Sequence, residues 1–356
     1  MSLFKKVLEF SEEVKASDVH FTVGKVPCVR IDGSLMELEG FPEFTDVDFI
    51  DALDTMDIKS QWIGNSYDTS YRFKENRMRV HLFLGISGWS ISMRLIPSTV
   101  PKFSSLYLPD SIKQFTKLKN GLVLVTGVTG SGKSTTLTSI IQMINEEQSK
   151  RIITIEDPVE FVYEDNKSVI VQRELGHNFT DFSSAVKEAM RQDPDIIVVG
   201  ELRDLDTIKN AITLAETGHL VFGTLHTKSV AETFDRMIDV FPNEQQKQIR
   251  HQIANVVEGV ITQRLLKKKK GGRVPATEVL VMTNGARNII SNSSGLSGIE
   301  DQILMNHQKN GSQTMIQSLA FLLKQNLIDI NQAFEEAGSQ DSIKKLEEFL
   351  KQSEEV

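Results

Sequence analysis

The run GVTGSGKS, residues 127–134, has the residue types and spacing of a phosphate-binding loop. It fits G-x-x-x-x-G-K-[ST] at every position, after a strand-like run and before a helix-like run. Backbone N–H groups of such a turn, together with the helix N-terminus, attract phosphate groups. We therefore predict a nucleoside triphosphate here, with Lys133 at its β- and γ-phosphates and Ser134 on Mg²⁺. The predicted nucleotide-binding residues are Gly127, Val128, Thr129, Gly130, Ser131, Gly132, Lys133, Ser134 and Thr135.

Three carboxylates, Glu156, Asp157 and Glu160, crowd the end of a second apolar run, RIITI at residues 151–155. Like charges this close are costly unless a cation lies among them. We predict that Glu156 and Glu160 hold Mg²⁺, directly or through water, and that Glu160 also serves catalysis. A solvated acidic turn around Pro158 is the alternative.

A third apolar run, DIIVVGELRD, ends in Glu201. It resembles a Walker B strand, except that Gly200 replaces the usual magnesium-side aspartate. Ligands of open α/β sheets bind beyond the carboxyl ends of the strands. We therefore predict that Glu201 activates or orients the attacking water, and that Asp193 and Asp195, at the opposite end, are structural.

Two histidines, His219 and His226, flank a fourth apolar run, residues 220–225. Residues seven apart in a strand point to opposite faces and lie roughly 23 Å apart, so they cannot share one metal ion. If the sheet is parallel, His226 lies at the edge that carries the three preceding motifs. We predict that His226 meets a γ-phosphate or Glu201, and that His219 has a structural or coupling role.

The elements that must position these residues follow an α/β order. Residues 119–284 alternate short apolar strands with helices, which is typical of a parallel sheet. Before this core we predict an α+β domain over residues 1–98 and a linker with a lead-in helix over 99–118; residues 285–356 are polar and helical. The predicted features of the first domain are a helix over Leu3–Val14, the strand-like runs SDVHFTV, KVPCVRI, NRMRVHLFLG and WSISMRLIP, and a hairpin at Asp32–Gly33. Pro97 and Pro101 mark the linker that follows it.

Composition excludes several classes of protein. The net charge of −8 disfavours nucleic acid as a partner. The single cysteine, Cys28, rules out an internal disulfide and a cysteine-rich zinc site. No apolar run reaches the ~18 residues of a membrane span, and the start lacks a signal peptide, so we expect a cytoplasmic protein. The basic run at residues 266–273 reads as a solvated loop, or as a contact for anionic lipid or an acidic partner.

Four runs together resemble the Walker A, Asp box, Walker B and His box of the secretion ATPases, and especially the PilT family of type IV pilus retraction ATPases. They are GLVLVTGVTGSGKSTTL, TIEDPVEF, RQDPDIIVVGELRD and ETGHLVFGTLHT. ASDVHFTVGKVPCVRIDG is similar to the PAS-like N-terminal domain of that family, and VITQRLL and ATEVLV match further along the chain. The resemblance covers nearly the whole chain. It implies a RecA-like P-loop NTPase core with a PAS-like α+β N-terminal domain and a C-terminal helical segment.

The resemblance also implies an activity and partners. Family members are cytoplasmic homo-hexamers at the inner face of the membrane. They couple Mg²⁺-dependent ATP hydrolysis to pilus disassembly through an inner-membrane platform protein. A paralogous motor ATPase is a further candidate partner, and no nucleic acid is expected.

Three arginines gain a role from the resemblance. Arg77, Arg79 and Arg94 lie on N-terminal strands and read by themselves as a solvated strand face. The family match implies that they reach a γ-phosphate, of the same or the adjacent chain. Two motifs depart from the family pattern: Val128 replaces a proline, and GARNIISN, with Ala286, Arg287, Asn288 and Ile289 at its centre, replaces a motif tied to retraction, AIRNLIRE.

Other functions on a similar core remain open. A pilus-assembly or type II secretion ATPase usually carries a four-cysteine zinc insertion and a longer N-terminus, so we expect a sequence with a single cysteine and a short N-terminal domain to be neither. A nucleic-acid translocase predicts a basic channel. An accessory retraction paralogue would share the same motifs.

Overall fold

A computed structural model describes residues 2–31, 34–59, 64–74, 76–96, 100–292, 296 and 298–351. The chain divides into two compact units, residues 1–99 and 100–356. The hairpin predicted at Asp32–Gly33 and the linker proline Pro97 lie outside the described residues.

The first unit contains a six-stranded sheet in which all neighbouring strands are antiparallel, in the order β3-β2-β1-β6-β5-β4. Its elements are α1 (Leu3–Glu13), β1 (Asp18–Thr22), β2 (Cys28–Ile31), β3 (Ser34–Glu37), α2 (Asp46–Thr55), β4 (Ser66–Phe73), β5 (Asn76–Gly85) and β6 (Gly88–Ile96). On α1, Phe4, Val7 and Leu8 repeat at helical spacing and are fully buried. They share a core with Val19 and Phe21 of β1.

The second unit is built on a seven-stranded sheet in the order β13-β12-β7-β11-β10-β8-β9. Its strands are β7 (Gly121–Thr126), β8 (Arg151–Glu156), β9 (Val169–Glu174), β10 (Ile196–Val199), β11 (Leu220–Leu225), β12 (Val257–Lys267) and β13 (Arg273–Val281). All neighbouring pairs are parallel except β12 and β13, which are antiparallel.

Helices cover both faces of this sheet. They are α3 (Lys133–Glu147), α4 (Phe182–Ala189), α5 (Leu205–Glu216), α6 (Val230–Asp239), α7 (Asn243–Val256), α8 (Asn284–Ser291), α9 (Ile299–Met305), α10 (His307–Asn310), α11 (Met315–Lys324), α12 (Ile330–Ala337) and α13 (Gln340–Lys351). Where the sequence predicts a lead-in helix, the chain forms two 3₁₀ segments, Phe103–Ser105 and Asp110–Lys117.

Strand β7 shows why the sheet has helices on both sides. Leu122 and Leu124 point into the core formed with α4–α9, whereas Val123 and Val125 point into the core formed with α3. Successive side chains of a strand alternate between faces, so a strand covered on both faces must be apolar throughout. This confirms the predicted α/β class with a parallel sheet.

The parallel arrangement places four predicted motifs at one edge of the sheet. Val199 at the end of β10 pairs with Ile155 of β8 and with Gly223 of β11. Leu225 at the end of β11 pairs with Thr126 of β7. The residues that follow these strands therefore emerge side by side.

Asp195 lies at the opposite edge, before β10. Its carboxylate accepts hydrogen bonds from Lys150 Nζ at 3.1 Å and from the Arg151 backbone N–H at 2.9 Å. These contacts tie the start of β10 to the start of β8.

Among the helices of the described ranges, none combines the length and apolarity needed to cross a lipid bilayer.

Glu278 on β13 is a buried acid outside the predicted site. Its Oε2 accepts a hydrogen bond from the Val230 N–H, at the N-terminus of α6, at 2.9 Å. Burial raises the pKa of this carboxyl to about 7, although the bond from Val230 opposes the rise. The folded-state pKa lies above the unfolded value of about 4.5, so this group's contribution to stability declines as pH rises from about 4.5 through 7.

We predict that Glu278→Gln stabilises the chain at pH 8 and changes little at pH 5, because glutamine keeps the acceptor and cannot ionise. The gain at pH 8 should be on the order of 1–3 kcal/mol in the free energy of unfolding. Urea unfolding at both pH values measures it. The control is Glu335→Gln, an exposed carboxylate on α12 that should change neither curve. Equal stability of wild type and Glu278→Gln at pH 8 would contradict the prediction.

Candidate active site

The loop between β7 and α3 is shaped by glycines. Gly127, Gly130 and Gly132 adopt φ angles of 145°, 79° and 87°, which favour glycine. A Cβ on Gly127 would also collide with the Gln263 carbonyl oxygen and the Ser131 hydroxyl. Gly132 is the N-cap of α3 and supplies no side-chain acceptor, so the first N–H groups of the helix have no side-chain cap. Such N–H groups suit an anionic ligand.

Lys133 lies inside this loop. Its ammonium group donates to the carbonyl oxygens of Gly127 at 2.8 Å and Val128 at 3.3 Å. Burial lowers the pKa of this lysine, while Glu201 and Glu160 oppose the change. The cation is therefore held in the loop by weak acceptors, which the stronger charge of a phosphate group can replace.

Two contacts of Ser131 bear on nucleotide binding: its hydroxyl is available to a ligand, and its backbone is held by Gln263. The buried Ser131 Oγ has no hydrogen-bond partner in the described part of the chain. Gln263 Nε2 on β12 donates to the Ser131 carbonyl oxygen at 2.7 Å. The loop thus has a fixed backbone and a hydroxyl that can still bond to a ligand.

A cavity of about 70 Å³ joins the loop to the neighbouring strand ends. Ser134, Glu156, Glu160, Glu201 and Thr224 line it, so oxygen atoms from four motifs face one space. Oxygen donors of this kind suit Mg²⁺, which prefers a few carboxylates or hydroxyls together with phosphate oxygens and water.

Glu156 is a carboxyl group of this cavity whose ionisation is opposed by burial. Burial raises the pKa of its carboxyl to about 7, although Thr154 donates a hydrogen bond at 2.5 Å and Gln172 one at 3.1 Å. The nearby charge of Glu160 adds to the rise. A divalent cation next to the two carboxylates would offset this cost, so the pair fits a metal ion.

Glu201 lies between two cationic or ionisable groups. Its Oε2 is 2.7 Å from Arg203 Nη2, and its Oε1 is 3.5 Å from His226 Nε2. Burial of the carboxyl raises its pKa, but Arg203 and His226 outweigh burial and hold the pKa of Glu201 below its ordinary value. Glu201 is therefore ionised, as a group that accepts a proton from water must be.

His226 connects Glu201 with the phosphate-binding loop. While its Nε2 faces Glu201, its Nδ1 lies 3.5 Å from Thr129 Oγ1. His219, at the other end of β11, has its Nδ1 within 3.1 Å of the Leu214 carbonyl oxygen at the end of α5. The structure thus brings His226 to the site and leaves His219 in a structural contact.

Gly200 is required by the close approach of β8. A Cβ at this position would lie 2.9 Å from the Ile155 carbonyl oxygen and 3.2 Å from Glu156 Cα. The Gly200 N–H donates to the same carbonyl oxygen at 2.7 Å, and the Gly200 carbonyl oxygen accepts from the Thr224 hydroxyl. An aspartate does not fit here, which explains the departure from the usual Walker B strand.

The three candidate arginines all lie in the first unit. Arg94 Nε donates to Asp18 Oδ1 at 2.8 Å, and Arg77 Nη2 donates to Ser70 Oγ at 3.2 Å. Arg79 is exposed and lies directly opposite Arg94, and no carboxylate of the described residues pairs with it. Their role at a nucleotide remains a prediction.

Sequence reasoning missed the polar residues that support the site. Gln263 belongs to VITQRLL, which resembles the family without an assigned role, Thr154 lies inside the apolar run RIITI, and Gln172 lies on β9, for which the sequence analysis made no prediction. The available signal for Thr154 was a polar residue in an otherwise apolar run, whereas Gln172 and Gln263 lie among other polar residues of their strands. That signal does not say which distant carboxylate or carbonyl group each residue meets.

Comparisons with known proteins agree with this geometry. The model of the family "Type II/IV secretion system protein" matches residues 1–335. The chain is 40% identical over 343 residues to the type IV pilus retractation ATPase PilT of Pseudomonas aeruginosa, a match that covers 93% of this chain and 97% of that protein. It is 45% identical over 268 residues to a twitching motility protein of Neisseria gonorrhoeae, covering 75% of this chain and 71% of that protein.

A solved structure is similar along almost its full length. The crystal structure of the pilus retraction motor PilT with bound ADP matches with a TM-score of 0.88 at 39% identity, covering 96% of this chain and 98% of that chain. The phosphate-binding loop, the acidic cavity and the nearly full-length matches together establish that this chain belongs to the Type II/IV secretion system protein family, as a P-loop ATPase of its pilus-retraction branch.

Proposed function

We propose that this chain is the motor ATPase that retracts type IV pili, working as a homo-hexamer at the cytoplasmic face of the inner membrane. The observation that carries the proposal is the single sheet edge at which Lys133, Glu160, Glu201 and His226 meet. The nearly full-length similarity to the P. aeruginosa retraction ATPase supports the direction of force.

In this proposal the loop residues 127–135 bind ATP. The N–H groups of the loop and of the first turn of α3 surround the phosphates, and Lys133 moves from the loop carbonyls to the β- and γ-phosphates. Ser134, Glu156 and Glu160 hold Mg²⁺, directly or through water. When bound, Mg²⁺ neutralises charge on the phosphate oxygens.

Glu201 and His226 act on the attacking side. The ionised Glu201 accepts a hydrogen bond from the attacking water and orients it, while Arg203 keeps the carboxylate in place. His226, between Glu201 and Thr129, reports the presence of the γ-phosphate. An arginine from the N-terminal domain then neutralises the charge that develops during transfer.

We propose that each predicted domain has its own role in ATP hydrolysis. Residues 1–98 supply the arginines, residues 119–284 form the RecA-like core, and residues 285–356 form the C-terminal helical part. In the altered retraction motif, Arg287 donates to the Ala254 and Asn255 carbonyl oxygens at the end of α7 and pairs with Glu258 at 2.8 Å. The motif thus keeps the arginine that joins α8 to the core.

The partners that follow are an inner-membrane platform protein and, as a candidate, a paralogous motor ATPase.

Deleting the gene tests the direction of force. We expect cells with excess surface pili that do not twitch, because pili assemble and are not withdrawn. The wild-type gene should restore twitching, and the Lys133→Ala gene should not, since its product cannot hold the β- and γ-phosphates. Cells without pili would instead indicate an assembly ATPase, and normal twitching would indicate an accessory paralogue.

We predict that Glu201→Gln binds ATP but hydrolyses it ~10²–10⁴-fold more slowly, because the amide keeps the shape and cannot accept the proton. Steady-state phosphate release and a nucleotide-binding titration measure the two effects. Asp195→Asn, at the opposite edge of the sheet, is the control and should be mild. A fully active Glu201→Gln would place the catalytic carboxylate elsewhere.

The variant Glu160→Gln distinguishes two hypotheses for the acidic turn, namely that it holds Mg²⁺ or that it is only solvated. We expect a loss of turnover at limiting Mg²⁺ that excess Mg²⁺ partly restores, because one oxygen donor of the ion is weakened. Titrating Mg²⁺ against rate for this variant and for Glu156→Gln measures it, with the smaller effect expected for Glu156→Gln. Unchanged Mg²⁺ curves for both variants would show that the acidic turn is only solvated.

We predict that at least one of Arg77, Arg79 and Arg94 is needed for turnover, since an arginine supplied to the γ-phosphate is worth ~10³–10⁵ in rate. Each residue is changed to alanine and assayed in assembled rings. Mixing an inactive arginine variant with Lys133→Ala chains then tests whether it acts between chains, in which case activity partly returns. Three fully active single variants would refute the assignment.

A further inference from the structure

A chain of threonine hydroxyls joins the base of the phosphate-binding loop to the segment after His226. Thr126 on β7 and Thr262 on β12 are hydrogen-bonded through their hydroxyls at 2.8 Å. The Thr233 hydroxyl on α6 lies 3.4 Å from that of Thr126 and 2.7 Å from that of Thr227. The single proton of the Thr233 hydroxyl faces both the Ser229 carbonyl oxygen at 2.8 Å and Thr126, so the link from Thr233 to Thr126 is the weakest of the network.

All four threonines lie in the interior. Thr126, Thr233 and Thr262 are fully buried, and Thr227 is 3% exposed. Removing the partner of a buried hydroxyl leaves its desolvation penalty uncompensated. Hydrogen bonds in a network also strengthen one another in an interior of low dielectric constant. The four residues therefore resist moving apart more than surface hydroxyls would.

Two of the four threonines directly adjoin residues of the site. Thr126 directly precedes Gly127, and Thr227 directly follows His226. The backbone pairing of β7 and β11 ends here, with a long last bond of 3.3 Å from the Gly127 N–H to the Leu225 carbonyl oxygen. Beyond that bond, the threonine side chains continue the connection between the two segments.

The threonine network is also connected to the phosphate-binding loop through Gln263, the residue after Thr262. Thr262 is followed by Gln263, which is fully buried and donates to the Ser131 carbonyl oxygen at 2.7 Å. The loop is thus attached to β12 at Thr126, which precedes it, and at Ser131 within it. The segment after His226 is attached to the same network through Thr233.

We propose that Thr126, Thr227, Thr233 and Thr262 are positioning residues for ATP hydrolysis, which hold His226 at a fixed distance from the phosphate-binding loop and Glu201. In this proposal they act through His226 and not directly on the nucleotide. This inference rests on the role proposed above for His226. The alternative is that the hydroxyls only satisfy one another in the core, as the bond from Thr233 to the Ser229 carbonyl oxygen at 2.8 Å would by itself.

Thr233→Val tests the central link, because valine keeps the shape and removes the hydroxyl. We expect kcat to fall about two- to tenfold, the worth of one buried hydrogen bond, with KM for ATP unchanged within about twofold. Thr233→Ser restores the hydroxyl and should restore most of the turnover. The control is Thr116→Val: Thr116 is also buried and donates to a backbone carbonyl at 2.8 Å, outside the network.

A double-mutant cycle with His226→Ala separates positioning from plain stability. If Thr233 acts through His226, Thr233→Val should cause no further loss in the His226→Ala background. Thermal unfolding of every variant checks that it is folded at the assay temperature. Should Thr233→Val be unfolded there, Thr262→Val at the other end of the network replaces it in the same cycle.

The outcomes distinguish this inference from the proposed function. A Thr233→Val loss that multiplies with that of His226→Ala, or a rise in KM at constant kcat, overturns the positioning role alone. Wild-type turnover in Thr233→Val also overturns it. Wild-type turnover in His226→Ala overturns both the role of His226 and this inference.

Discussion

The parallel pairing of β7, β8, β10 and β11 is the constraint on which the site depends. Each strand runs in the same direction, so the four segments that follow them leave the sheet at one edge. A reversal of any one strand would carry its motif to the opposite edge, where Asp195 lies. Covering helices on both faces make this arrangement possible, since parallel strands need crossovers and an apolar surface on each side.

Charge balance at that edge explains the chemistry of its residues. Lys133 is buried among carbonyl groups, and burial lowers its pKa. Arg203 and His226 keep Glu201 ionised, whereas burial, with a smaller contribution from neighbouring carboxylates, raises the pKa of Glu156 to about 7. The site therefore combines Glu201, an ionised carboxylate that can accept a proton, with Glu156, a buried carboxyl group whose ionisation a bound cation would favour. These two environments lie within one small cavity.

The sequence predicted the motifs of the ATPase core more completely than the helices and strands of the first unit. The strand runs of β1, β2, β5 and β6 alternate apolar residues and were recognised. β3 is exposed at all four positions and shows no alternation. β4 does alternate, because Tyr67, Thr69, Tyr71 and Phe73 are separated by polar residues, and sequence reasoning missed it. The helix α2 was also missed, although Thr45 and Asp48 form a capping box at its start. Its exposed apolar residues, Val47 and Ile50, blur the helical pattern.

What the sequence determined by itself was the content of each strand end: the loop at 127–134, the acidic turn, Glu201 and His226 are contiguous motifs with their flanking strands. Only the tertiary structure decided which of these groups meet. The sequence offered Glu201 as one of two contacts for His226, and the structure shows that contact. The packing of Gly200 against β8 and the bond of Thr126 to Thr262, 136 positions away in the chain, were not predicted. Hydrogen bonds act over about 3 Å, so such partners depend on the register of strands distant in sequence, which no local pattern encodes.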